Sequence, residues 1–255
     1  MTSEFFKNTV RWNVERNGTR VNLPYFYYDN LFMTAIYTAS TARVRQLIPH
    51  PDLHPIEWSP GRCLVAFTAF EYRKVDDLPY NEISIAFPIS YRKKPIPLFS
   101  AVRALTSSVY NVYVWQLPVT TEPARAGGVD LFNYPKFIAD IQFLKATDRI
   151  TCTLSESESE ILRITGRVIP TKRGQVQRYK SFTVDHDTLL TVNNLVNPIE
   201  FASSFRRGDV SVEIGKLHPI SQALNELKLA RHPFSYQFSP NNESILFPAR
   251  NVRDV

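Results

Sequence analysis

One lysine sits where a lysine is least at ease. Residues 127–141 read GGVDLFNYPKFIADI, and Lys136 lies between Pro135 and Phe137. Phe132 and Tyr134 precede it; Ile138, Ala139 and Ile141 follow it. Two readings stand side by side. In the first, Lys136 is a surface lysine at the start of a strand, its stem lying past aromatic neighbours and its ammonium in water. In the second, it is held away from water, where burial disfavours the charged form. A neutral amine attacks a ketone, and loss of water leaves a protonated imine that accepts electrons from a neighbouring C–C or C–H bond. Such a site needs a carboxylate to move protons or orient substrate. Spacing alone does not say which carboxylate meets Lys136.

Other chemistries find less support. There is no P-loop, GxGxxG, HExxH or GxSxG pattern. Cys63 and Cys152 lack the paired spacing of a disulfide scaffold or a zinc site, and Cys152, in RITCTL, shares a strand face with Ile150 and Leu154 as a small core residue. All five histidines except His186 adjoin or lie close to prolines. Asp185-His186-Asp187 reads as a polar turn, because no second cluster supplies further metal ligands. Asn17-Gly18-Thr19 and Asn242-Glu243-Ser244 match the glycosylation pattern, but MTSEFFKNTVRW has no apolar signal run to give them meaning. No stretch is apolar for the ~20 residues of a membrane span. A cytoplasmic protein is expected.

The elements that must position Lys136 are mostly strands. The 255 residues are 44% hydrophobic, with 17 Phe and 12 Tyr, enough for a sizeable core. Alternation and β-branched or aromatic enrichment predict strands over 32–39, 62–72, 81–91, 109–119, 138–146, 149–155, 161–169 and 209–217. The acidic run ESESE joins two of them as a hairpin. Helices are expected at 42–48, from Pro219 onward, and over 187–196. The expected fold is mainly β within an α+β class: a single domain over 1–255, built on a closed or nearly closed antiparallel barrel-like sheet with a few peripheral helices. The net charge of +6 is scattered, so nucleic acid and membrane are not expected partners.

Several segments, in order, resemble the acetoacetate decarboxylase family. They are LPYFYYDNLFMTAIYTASTARVRQLIP, GRCLVAFTAFEYR, LPYNEISIAFPI with its Tyr80-Asn81-Glu82, WQLPVTTEPARAGGVDLFNYPKFIADIQF with its Gly-containing loop and Pro-Lys pair, and GKLHPISQALNELKL. The resemblance implies that Lys136 forms the imine and that Glu82 positions substrate or handles protons. It also implies a homo-oligomer and no metal or organic cofactor. The departures are specific. Asn30 stands where the family has an arginine, Ala66 where it has a second glutamate, and Phe137 where it has a second lysine. Asn30, Tyr134 and Phe137 are the remaining candidates for contact with substrate. The resulting expectation is a Schiff-base lyase acting on a small-molecule ketone or keto acid, larger or less acidic than acetoacetate. An aldolase-dehydratase using the same lysine, and a non-catalytic binder of hydrophobic ligands, are the alternatives.

Overall fold

The computed structural model describes residues 3–16, 18–186 and 188–254. Asn17 and Asp187, which belong to two of the motifs above, lie outside the described residues. Strands β1 (Trp12–Arg16) and β2 (Thr19–Leu23) form a hairpin, and β3 (Tyr25–Ser40) leads into helix α1 (Thr41–Gln46). Short β4 (Leu53–Pro55) and β5 (Glu57–Ser59) precede the long hairpin of β6 (Arg62–Val75) and β7 (Tyr80–Tyr91). Then come α2 (Phe99–Thr106), β8 (Val109–Gln116), α3 (Glu122–Phe132), β9 (Asp140–Lys145), β10 (Arg149–Glu156) and β11 (Ser159–Arg167). The chain continues through β12 (Gln177–Asp185), β13 (Thr188–Ser204), β14 (Val210–Ile214), α4 (Pro219–Glu226) and β15 (Ser235–Leu246).

Seven strands close on themselves in the order β7-β8-β12-β13-β15-β3-β6 and back to β7. Closure leaves the barrel wall without a bare edge. The expectation of an antiparallel sheet needs one correction: β8 and β12 run parallel, so the barrel is mixed. The chain between them is a long crossover through α3 and β9–β11, the kind of connection that parallel neighbours require.

The wall has two unlike faces. On β7, Ile83, Ile85, Phe87 and Ile89 are fully buried. They join Ile150, Cys152, Leu154, Leu162 and Ile164 in one core cluster. The latter come from a second, four-stranded sheet, β14-β11-β10-β9, which covers the barrel from outside. The alternate residues of β7 (Tyr80, Glu82, Ser84, Ala86) face the interior cavity, which side chains from all seven barrel strands line. That cavity is therefore the lumen of the barrel.

Two segments depart from the sequence expectation. Residues 188–196, expected as helix, are the first half of β13, paired to β12 on one side and β15 on the other. Two long-range ladders override a weak helical pattern. The Gly-containing loop that the resemblance implied before the Pro-Lys pair is instead part of α3 (Glu122–Phe132), with proline in its first turn. Among the described residues, no helix is long and apolar enough to cross a membrane.

Candidate active site

Lys136 reaches the lumen by a short, tightly held path. Helix α3 ends at Asn133, which takes the left-handed conformation (φ 54°, ψ 35°) that stops a helix. Tyr134 N–H closes back on the Gly128 carbonyl at 3.0 Å. Lys136 N–H then bonds the Tyr134 carbonyl at 2.7 Å, and the chain straightens. Val119 N–H donates to Phe137 O at 2.9 Å, and Ala139 N–H donates to Val119 O at 3.0 Å. On its other side Val119 bridges Glu82 of β7. One residue, Val119, thus sets Lys136 and Glu82 in neighbouring segments, although 54 positions separate them in sequence.

The two side chains meet. Lys136 Nζ lies 2.7 Å from Glu82 Oε2, with only 6% and 7% of the two side chains exposed. Apolar walls penalise charge on either group, and each group stabilises charge on the other. The other Glu82 oxygen, Oε1, accepts a hydrogen bond from Tyr72 Oη at 3.2 Å. Lys136 Nζ lies 5.3 Å from the centre of the Tyr80 ring, within cation–π range. Tyr80 Oη is 3.3 Å from Tyr27 Oη, and Tyr134 Oη is 2.6 Å from Ser181 Oγ. Burial, and then the charge of Glu82, push the phenols of Tyr72 and Tyr27 well above their usual range. Burial does the same to Tyr80 and Tyr134. All four therefore stay protonated, but Tyr72 gives its proton to Glu82, and Tyr134 gives its proton to Ser181, whose own hydroxyl donates to Val192 O. Tyr27 and Tyr80 bond each other and keep one proton between them for an oxygen in the site.

Gly128 makes room for the lysine. A Cβ at this position would lie 2.2 Å from Lys136 Cδ and 2.5 Å from Cε, so the stem of Lys136 crosses α3 where there is no side chain.

The candidates divide. Lys136, Glu82 and Tyr134 line the same cavity, of about 210 Å³. Asn30 and Phe137 are not among its lining residues. Asn30 is paired with Tyr72 in register, but its amide is taken up by β15: Nδ2 donates to Asn242 O at 3.1 Å, and Asn242 Nδ2 donates to Asn30 O at 2.9 Å. This lock sits where both strands shift register. Phe137 follows Lys136 in an extended segment, so it points the opposite way and packs on the outer core. The residues that sequence reasoning missed are Tyr72, Tyr27, Ser181 and Gly128. Tyr80 alone had a local sign, two positions before Glu82 and so on the same face of one strand.

Among the described residues, no three or more His, Cys, Asp or Glu side chains gather as a metal would need. His186 is almost fully exposed.

The family model of acetoacetate decarboxylase (ADC) matches residues 8–194, which hold both Glu82 and Lys136. The chain belongs to the acetoacetate decarboxylase family. No curated protein sequence matches it. Solved structures share its fold at low identity. An acetoacetate decarboxylase is 18% identical with a TM-score of 0.64, over 90% of this chain and 89% of its own. The acetoacetate decarboxylase from Legionella pneumophila is 14% identical with a TM-score of 0.66, over 98% and 93%. The enduracididine biosynthesis enzyme MppR, complexed with pyruvate, is 10% identical with a TM-score of 0.60, over 89% and 90%. Membership in this family supports an enzymatic role.

Proposed function

We propose that the protein is a lyase that joins Lys136 to the carbonyl carbon of a ketone or keto acid as an imine. The observation that carries this reading is the enclosed Lys136–Glu82 pair at 2.7 Å. Glu82 takes a proton from the ammonium, which frees the lone pair of Nζ. The amine adds to the carbonyl, the oxygen leaves as water, and a cationic imine remains. Electrons from the bond next to the imine carbon flow into it. When that bond is to a carboxylate, CO₂ departs and an enamine forms. The proton that Glu82 gained leaves with the oxygen as water, so the enamine carbon is protonated from solvent, relayed by the Glu82 carboxylate. Water then hydrolyses the imine, releasing product and restoring the amine. The one proton that Tyr27 and Tyr80 leave free suits the carbonyl oxygen as it gains negative charge.

A second reading keeps the lysine and changes the bond broken. Among the described residues lining the cavity, Lys136 is the one cationic side chain, set against Glu82 and Asp77. A substrate carboxylate finds no guanidinium there to hold it. Aldol cleavage or dehydration through the same imine needs no such partner. MppR, whose fold is similar, has also been solved with a condensation product of pyruvate and imidazole 4-carboxaldehyde.

The test is borohydride trapping. The protein is incubated with acetoacetate, pyruvate or acetylacetone, reduced, and mapped by mass spectrometry. An adduct on Lys136 that is absent from Lys136→Ala and Lys136→Arg is the expected result. Failure to trap any carbonyl compound on Lys136 would leave the fold as a hydrophobic-ligand binder without the chemistry.

A further inference from the structure

The lumen continues well past the reactive pair, and its wall is organised in rows. Strands β3, β6 and β7 lie side by side with known register. Glu82 sits opposite Phe70, and Phe70 opposite Phe32. Two residues along the strands, Ser84 pairs with Thr68 and Thr68 with Thr34. Two further on, Ala86 pairs with Ala66 and Ala66 with Ile36. Rows spaced two residues apart are about 7 Å from one another, so the third row lies about 13 Å along the strand from Glu82. All three rows line the same cavity, and so does Ala104 of α2 beyond them.

The second and third rows are built almost entirely of small residues. In the middle of a barrel wall, small side chains leave the space between strands unfilled. Accessibility along β6 agrees. Val65, Phe67 and Ala69, which face the outer core, are fully buried, while Ala66, Thr68 and Phe70, which face the lumen, keep partial accessibility. The polar atoms there are few and in part already engaged. The Thr34 and Thr68 hydroxyls bond each other at 3.0 Å. A lumen of this kind is emptier and more apolar than a short keto acid needs.

We propose that the substrate is a carbonyl compound with an elongated apolar body, which lies along the Ser84–Thr68 and Ala86–Ala66 rows while its carbonyl carbon meets Lys136 Nζ. This assignment rests on the imine reading of Lys136 and adds the substrate class to it. Burial of each additional methylene in the lumen strengthens binding, whereas a short acid gains nothing from the lower rows. Ala66 carries no charge, so the wall along which the body lies stays apolar there.

The experiment is a chain-length series on the whole protein: borohydride trapping with acetone, pentan-2-one, heptan-2-one and nonan-2-one, with acetoacetate alongside. The ketone concentration that gives half-maximal adduct on Lys136 should fall by about fourfold per added methylene until the lumen is full. Ala66→Leu, which fills the third row, should lower the preference for nonan-2-one over acetone at least about tenfold within that variant. Acetone or acetoacetate trapping at concentrations equal to or below nonan-2-one would overturn the assignment and leave the imine reading standing. If no ketone traps on Lys136, the imine reading falls. Calorimetry of nonan-2-one with the wild-type protein and with Lys136→Ala then decides the remainder: binding by both supports an elongated apolar occupant of the lumen, and binding by neither overturns it.

Discussion

The two faces of β7 carry opposite designs on one strand. Outward, Ile83, Ile85, Phe87 and Ile89 are fully buried against the second sheet. Inward, Tyr80, Glu82, Ser84 and Ala86 mix phenol, carboxylate, hydroxyl and methyl around open space. The outer face does what a strand face does in any core, removing apolar area from water at native packing density. The inner face keeps a buried lysine–glutamate pair, which adds little to stability once both charges are desolvated. The barrel thus stands by its outside, and its inside is free to hold chemistry.

That division is most easily broken from the outer side. Phe87→Ala should destabilise the protein by about 3–5 kcal/mol, read from urea or thermal unfolding, because the cavity it leaves is walled by two packed sheets. Ser84→Ala, three positions earlier on the inner face, should cost less than about 1 kcal/mol, because its side chain borders space that is already open. Equal losses for the two variants would mean that the lumen is as tightly filled as the core.

The inner face should declare itself at high pH. Burial holds the phenols of Tyr27, Tyr72, Tyr80 and Tyr134 above their unfolded value of about 10. Their folded values are raised, so the stability they carry is fully present below pH 10. It is lost as pH climbs further, because the unfolded chain releases these protons first. Tyr37 and Tyr236 of the outer core act in the same direction. The buried thiols of Cys63 and Cys152, pushed up by burial from about 9, act the same way at lower pH, so the melting temperature should begin to fall near pH 9 and fall steeply above about 10. Tyr27→Phe should make that fall shallower. A flat alkaline profile would mean that water reaches these phenols.

Gly128→Ala separates position from stability at the site. Alanine in a helix interior is worth up to about 1 kcal/mol over glycine. Here the added methyl would sit 2.2 Å from Lys136 Cδ, and the lysine stem, being flexible, is what must give way. Stability should change by less than about 1 kcal/mol, while the rate of imine trapping falls by roughly 100-fold, since an ångström of misplacement can cost that much. An unchanged trapping rate would show that Lys136 reaches its working position by another path.

What was legible in the sequence follows the same line between local and distant causes. β6 and β7 were visible because one of their faces is continuously apolar and alternation is a local property. Lys136 stood out because a charge in an aromatic stretch is a local anomaly. The strand at 188–196 was misread because its identity depends on β12 and β15, which lie elsewhere in the chain. α3 was hidden by Gly127 and Gly128, poor helix formers, one of them kept for the lysine that passes over it. The parallel β8–β12 pair cannot be read from either strand, since it is a property of their order. The contact of the Asn30 amide with Asn242, beside a register shift in β3, has no local sign in the sequence. Tyr72 has no local sign at all: it belongs to the site only because β6 pairs with β7.

Tyr72 gives the smallest and most discriminating test. It donates to Glu82 Oε1 at 3.2 Å and does not hydrogen-bond the lysine, whose partner is Oε2. Its part is to hold the carboxylate, so that Oε2 points at Nζ. A hydrogen bond to a charged acceptor is worth about 1.5–3 kcal/mol, but in Tyr72→Phe Glu82 keeps the contact with Lys136 that matters most. Trapping on Lys136 should slow by less than about tenfold, a value set by the weaker end of that range. Glu82→Gln should slow it by about 100-fold or more, because an amide cannot accept the proton that the ammonium must lose. If the two variants are equally slow, the carboxylate works only while Tyr72 holds it, and its orientation rather than its presence sets the rate.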